Sequence, residues 1–145
     1  MKGLELVELM VAFQRRIMRK LTHHLAGEGL STSEGFVLWR LHKHGARRVS
    51  DIASSSGLPP STLTGLLDRL VEGGWVARAP DPDDRRAIIM QPTPKLEEFA
   101  RTSLRSVGKE LEHSFRSLPS GLVDRLIVDL GLVIGCLEEE ESQRK

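Results

Sequence analysis

Hydroxyls and guanidinium groups carry the candidate chemistry of this chain. They are concentrated in the run VSDIASSSGLPPSTLTGLLDRLVEGGWVARAPDPDDRRAIIMQPT, from Val49 to Thr93. Within it, Leu63, Leu66, Leu67, Leu70 and Val71 recur at the three-and-four spacing of a buried helix stripe, and Ser61, Thr62, Thr64, Gly65 and Arg69 fall on or beside the opposite face. Arg85 and Arg86 follow the turn-forming Pro80-Asp81-Pro82-Asp83 and are expected at the tip of a hairpin. Arginines so placed can reach a minor groove, whose negative potential attracts guanidinium groups. A helix with outward hydroxyls beside a basic finger suits duplex DNA, the helix in the major groove and the finger on phosphates or in the minor groove.

Other chemistries lack their residues. No P-loop, GxGxxG, HExxH or GxSxG is present. The lone Cys136 sits in an apolar stretch and reads as a packing thiol that cannot form an internal disulfide. His23-His24 and the pair His42 and His44 have spacings that point the rings apart on a helix, so neither pair chelates without outside ligands. No catalytic residue, metal or cofactor is expected.

The elements that must position these side chains can be followed along the chain. Leu6, Leu9, Met10, Phe13, Ile17, Leu21 and Leu25 mark one face of a first helix, ended by Gly27 and Gly29. Ser31 and Glu34 have the spacing of a capping box and open a second helix, with Phe36, Val37, Trp39 and Leu41 expected on its core side and Gly45 closing it. Arg47-Arg48-Val49 reads as one extended step, and Ser50 as the N-cap of a short helix from Asp51 to Ser56 that Gly57 ends. Pro59-Pro60 then sets the next helix to begin at about Ser61, until Gly73-Gly74 turns the chain into Trp75. Trp75 to Ala79 and Ala87 to Gln91 form the hairpin strands. Two further helices are expected over Lys95–Ser117 and Pro119–Glu141.

Charge and length agree with this organisation. The chain has 145 residues, 39% hydrophobic and 28% charged, which fits one folded domain. Its formal net charge is only +1. Residues 40–95, however, hold nine Lys/Arg against six Asp/Glu, whereas residues 96–145 hold seven against ten. The basic excess therefore falls on the expected binding module. No apolar run approaches the roughly 20 residues needed to cross a bilayer, so a cytoplasmic location without membrane contact is expected.

Asp81, Asp83 and Asp84 need a reason to sit in a loop that approaches phosphates. The expectation is that a carboxylate clamps a neighbouring guanidinium and orients it, with Asp68 as a further partner tying helix to hairpin.

With these residues in place, the stretch LLDRLVEGGWVARAPDPDDRRAIIM resembles the multiple antibiotic resistance regulator (MarR) family of bacterial transcription factors. The similarity is carried by Leu67-Asp68-Arg69-Leu70 followed by Gly74-Trp75-Val76, and by the Asp84-x-Arg86 element. The resemblance implies that Ser61, Thr62 and Thr64 meet base edges or nearby phosphates, that Arg69 meets the DNA backbone and that Arg86 enters the minor groove. It makes Arg85 and Ser50 supporting phosphate contacts. It also implies a small-molecule effector pocket between the dimer helices and the winged module, for which Phe13, Phe36 and Trp39 are candidates, although plain core is the preferred reading of all three. Two departures stand out: Gly65 replaces the long polar or basic side chain of many relatives, and Gln91-Pro92-Thr93-Pro94 replaces their leucine–threonine exit from the wing.

The expected fold is mainly α with a small β-hairpin wing: a winged helix-turn-helix lobe over residues 31–94, with residues 1–26 and 95–145 as a helical dimerisation region in a single domain. Leu122, Val123, Leu126, Ile127, Leu130, Leu132, Val133, Ile134 and Leu137 cover more than one face of the last helix, which must be buried against more than one partner. Packing on a second copy is preferred, because paired recognition of duplex DNA needs a two-fold dimer. The expectation is a sequence-specific, ligand-responsive repressor acting as a homodimer on a pseudo-palindromic operator. The alternative is a winged-helix protein–protein interaction module with no DNA role.

Overall fold

The computed structural model describes residues 1–144, which form two compact units, Met1–Val107 and the segment from Gly108 onward. Helix α1 spans Lys2–Ala26 and α2 Thr32–His44. The capping box expected at α2 is present: Ser31 Oγ accepts from the Glu34 amide at 3.2 Å, and the Ser31 amide donates to Glu34 Oε2 at 2.8 Å. A two-residue strand β1, Arg47–Arg48, leads directly into α3, Val49–Ser56. Gly57 then takes the left-handed conformation at φ 65°, as its position after the helix predicts. Helix α4, Pro60–Glu72, has proline at its start, where a missing amide costs nothing.

Strands β2, Val76–Pro80, and β3, Ile88–Pro92, form the hairpin one residue later than the sequence suggests. The extended step at Arg47–Arg48 pairs with β3, Arg47 opposite Met90 and Arg48 opposite Ile89, so the hairpin is part of a three-stranded antiparallel sheet ordered β1-β3-β2. This pairing corrects the start of α3. Arg48 is held extended at φ −62°, ψ 145° as the N-cap, and Ser50 lies inside the first turn, where its carbonyl accepts from Ser54 Oγ at 3.0 Å.

Val37, Leu38, Leu41, Ile52, Leu63, Leu66, Leu67, Leu70, Trp75, Met90, Leu96 and Phe99 are buried together in one core. Phe36 and Trp39 are not in it. They are 44% and 40% exposed, because the inward face of α2 is set by Glu34, Val37, Leu38 and Leu41. The exit from the wing is firmly placed. Thr93 Oγ1 donates toward the carbonyls of Gly74 and Trp75 at 2.7 and 2.9 Å and caps α5, Pro94–Phe99, at the Leu96 amide. Lys95 Nζ donates to the Gly73 carbonyl at 2.7 Å and lies 4.0 Å over the Trp75 ring, joining the end of α4 to α5.

The single helix expected over Lys95–Ser117 is instead α5, a π-helical turn at Ala100–Leu104, and α6, Arg105–Ser114. Helix α7 runs over Leu122–Gln143, starting after a left-handed Gly121. None of its residues is buried, and Ile127, Val128 and Leu132 are more than 60% exposed.

Candidate nucleic-acid interface

Helix α4 turns its leucines inward and leaves Ser61, Thr62, Thr64 and Arg69 exposed. The Thr64 hydroxyl donates to the Pro60 carbonyl one turn back at 3.0 Å, so it offers lone pairs and a methyl group to an incoming ligand. Arg69 is braced from below. Its Nε donates to Glu34 Oε1 at 2.8 Å, while its side chain stays 61% exposed and keeps the remaining guanidinium donors outward. Glu34 is buried and accepts both this bond and the one from the Ser31 amide. Burial pushes its carboxyl up, but the bonds from Ser31 and Arg69 outweigh that and hold it below its ordinary value.

Two acidic residues of the wing, Asp81 and Asp84, have structural tasks. Asp81 Oδ1 accepts from the Asp83 amide at 2.9 Å, and Asp84 Oδ1 accepts from the Arg86 amide at 3.0 Å. The turn is closed by the Asp81 amide on the Ala87 carbonyl at 3.0 Å and the Ala87 amide on the Asp84 carbonyl at 2.9 Å. Asp81 is buried and also pairs with Arg48 at the start of α3. The Asp83 amide bond, with the Arg48 guanidinium, holds the Asp81 carboxyl below its ordinary range against the effect of burial. Asp68 pairs with Arg78 on β2 and so ties α4 to the wing.

The guanidiniums that carboxylates hold here are those of Arg48 and Arg78, while Asp84 acts on the Arg86 backbone. Arg85 and Arg86 are exposed and make no ion pair among the described residues. Their guanidiniums are therefore available to an outside anion.

An open cleft of about 580 Å³ lies between the start of α3, α4 and the wing, lined among others by Arg48, Ser50, Thr64, Arg78 and Arg86. It brings three of the sequence-derived residues together and adds Arg48 and Arg78. These two were missed because their partners are 33 and 10 residues away. The signal for Arg48 was its place immediately before a short helix; for Arg78 it was an opposite charge across the Gly73-Gly74 turn. Ser61, Thr62 and Arg69 continue the same exposed helix beyond the cleft.

The aromatic candidates are arranged differently. Phe36 and Trp39 stack at 6.4 Å with an interplanar angle of 28°, with Arg40 over the first ring and Lys43 over the second. Phe36 borders a cleft of about 120 Å³ between α2 and α3, and Trp39 a separate one of about 1100 Å³ with His42, Pro94 and Glu97. Phe13 is on α1 and 55% exposed. Among the described residues, no group of three or more His, Cys, Asp or Glu is placed to hold a metal.

Residues 30–88 match the MarR family. The HTH-type transcriptional regulator YfiV of Bacillus subtilis is 32% identical over 107 residues, 74% of this chain and 67% of that protein. The HTH-type transcriptional repressor MdtR of the same organism is 33% identical over 87 residues, 60% of this chain and 56% of MdtR. Among solved structures, reduced AbfR bound to DNA, a Staphylococcus epidermidis protein, aligns with a TM-score of 0.69 at 21% identity, covering 93% of this chain and 92% of AbfR.

Proposed function

The chain belongs to the MarR family of winged-helix transcriptional regulators, and from that premise we propose that it binds duplex DNA as a sequence-specific, ligand-responsive repressor. The observation that supports this reading best is the cleft between α3, α4 and the wing, where Ser50, Thr64 and the unpaired Arg86 guanidinium converge on one surface. In this reading α4 lies in the major groove. Ser61, Thr62 and Thr64 face base edges or adjoining phosphates, Arg69 the sugar–phosphate backbone, and Arg86 the minor groove, with Arg85 and Ser50 on flanking phosphates. Asp68 and Asp84 orient the wing through Arg78 and the Arg86 amide.

The chain acts as a homodimer on a pseudo-palindromic operator, residues 1–26 and 95–145 supplying the contact between copies. The exposed apolar faces of α1 and α7 support that assignment, since Leu9, Ile127 and Leu132 are each more than 60% exposed. A small-molecule effector would act by binding one arrangement of the two lobes better than another. Phe13, Phe36 and Trp39, exposed rather than core, are its candidate contacts. The protein works in the cytoplasm, and no catalytic residue is assigned.

Titration of labelled duplex DNA against salt tests the central statement. Log K should fall by about 0.9 per phosphate contact for each log unit of salt. Saturable binding without that slope, or none at all, would place the wing in a protein–protein role instead.

A further inference from the structure

Six glycines lie between residues 30 and 94, and the fold accounts for five of them. Gly45, Gly57 and Gly74 have φ of 76°, 65° and 73°. A Cβ on Gly35 would come within 2.5 Å of Leu25, and one on Gly73 within 2.7 Å of the Trp75 ring. Gly65 has neither reason. Its backbone is helical, and a Cβ there would meet only the Arg69 guanidinium at 3.6 Å, an ordinary contact. Glycine in the interior of a helix is disfavoured relative to alanine. Folding of this chain would therefore be served better by a methyl group at position 65.

The location of Gly65 gives its absent side chain a use. At about 100° per residue, it lies nearly opposite the middle of the buried stripe Leu63, Leu66, Leu67 and Leu70, on a ridge of α4 where it is half-buried beside the Arg69 guanidinium. Its neighbours on that ridge are Ser61, with one small hydroxymethyl group, and Asp68, whose carboxylate is turned to Arg78. The longer side chains that could read bases, Thr62, Thr64 and Arg69, flank the ridge on its two sides.

We propose that Gly65 is a specificity-determining residue: the point where the α4 backbone itself meets the floor of the major groove, so that Thr62, Thr64 and Arg69 reach base edges on either side. The proposal rests on the DNA-binding reading above and adds a depth of docking to it. A methyl group on this ridge would stand the helix off by about 1.5 Å. That is enough to break hydrogen bonds whose useful range ends near about 3.2 Å.

The test uses a duplex enriched by the wild-type full chain from a random-sequence pool, beside a scrambled duplex of equal length, with wild type, Gly65→Ala and Gly65→Ser. Gly65→Ala should melt about 2–4 °C higher than wild type. It should bind the enriched duplex about tenfold more weakly and the scrambled one within about twofold of wild type. Gly65→Ser should lose affinity in the same way, and re-selection with Gly65→Ala should yield a degenerate position in each half-site. Higher stability with unchanged affinity, an equal loss on both duplexes, or a lower melting point would each overturn the proposal. Failure of the wild type to enrich any duplex would be a different result, removing the DNA reading from which it starts.

Discussion

Arg86 and Asp84 divide one task, the first offering charge and the second fixing the backbone that carries it. Because the Arg86 guanidinium has no ion-pair partner among the described residues, Arg86→Ala should leave the melting temperature unchanged and weaken duplex binding about tenfold, read by fluorescence anisotropy. Asp84→Asn keeps an acceptor for the Arg86 amide and should bind nearly as wild type, whereas Asp84→Ala should lose several-fold. Glu34 acts on the recognition surface from behind. Its removal leaves the Ser31 amide and the Arg69 Nε unmatched, so Glu34→Ala should destabilise the fold by about 1–3 kcal/mol in chemical denaturation. Because its carboxyl is held below its ordinary value of 4.5, the stabilisation is complete above that pH and is lost as pH falls through the lower, folded-state value. Acidification below about pH 4.5 should therefore narrow the stability gap between wild type and Glu34→Gln; a constant gap would show that the carboxylate is not what matters.

Between elements, the wing is held at two points, Asp81 to Arg48 before α3 and Asp68 to Arg78 from α4. Asp81→Ala removes one point together with the acceptor for the Asp83 amide. Hydrogen exchange at the Asp83 and Ala87 amides should then speed up, with little change in α4. Unchanged exchange would mean that the turn is set by its backbone bonds alone. The same elements show what a sequence can disclose. The Ser31–Glu34 box, the left-handed Gly57 and the proline at the start of α4 were legible because each depends on partners within one helical turn. Strand β1 was not, since two residues become a strand only by pairing with β3 some forty positions later. For the same reason the sequence located Ser50, Thr64 and Arg86 but not the cleft that gathers them, nor the partners of Arg48 and Arg78. Phe36 and Trp39 were misassigned to the core because an apolar residue type does not by itself say which helix face it occupies.

For the assembled protein, the exposed apolar surface of α7 is the feature that most needs a partner. Leu132, 67% exposed, is a useful probe. Leu132→Asp should shift sedimentation from dimer to monomer and reduce operator affinity, with the helical signal of the chain kept; a dimer that persists would assign the contact to α1. The joint between α4 and α5 constrains how such an assembly can respond. One ammonium sits on both the Gly73 carbonyl and the Trp75 ring, and one threonine hydroxyl stitches Gly74 and Trp75 to the first turn of the following helix. In the regulator reading proposed above, a torque on residues 94–99 would reach α4 through these contacts and be sensed by DNA as misaligned teeth on a gear rather than as a softened blade.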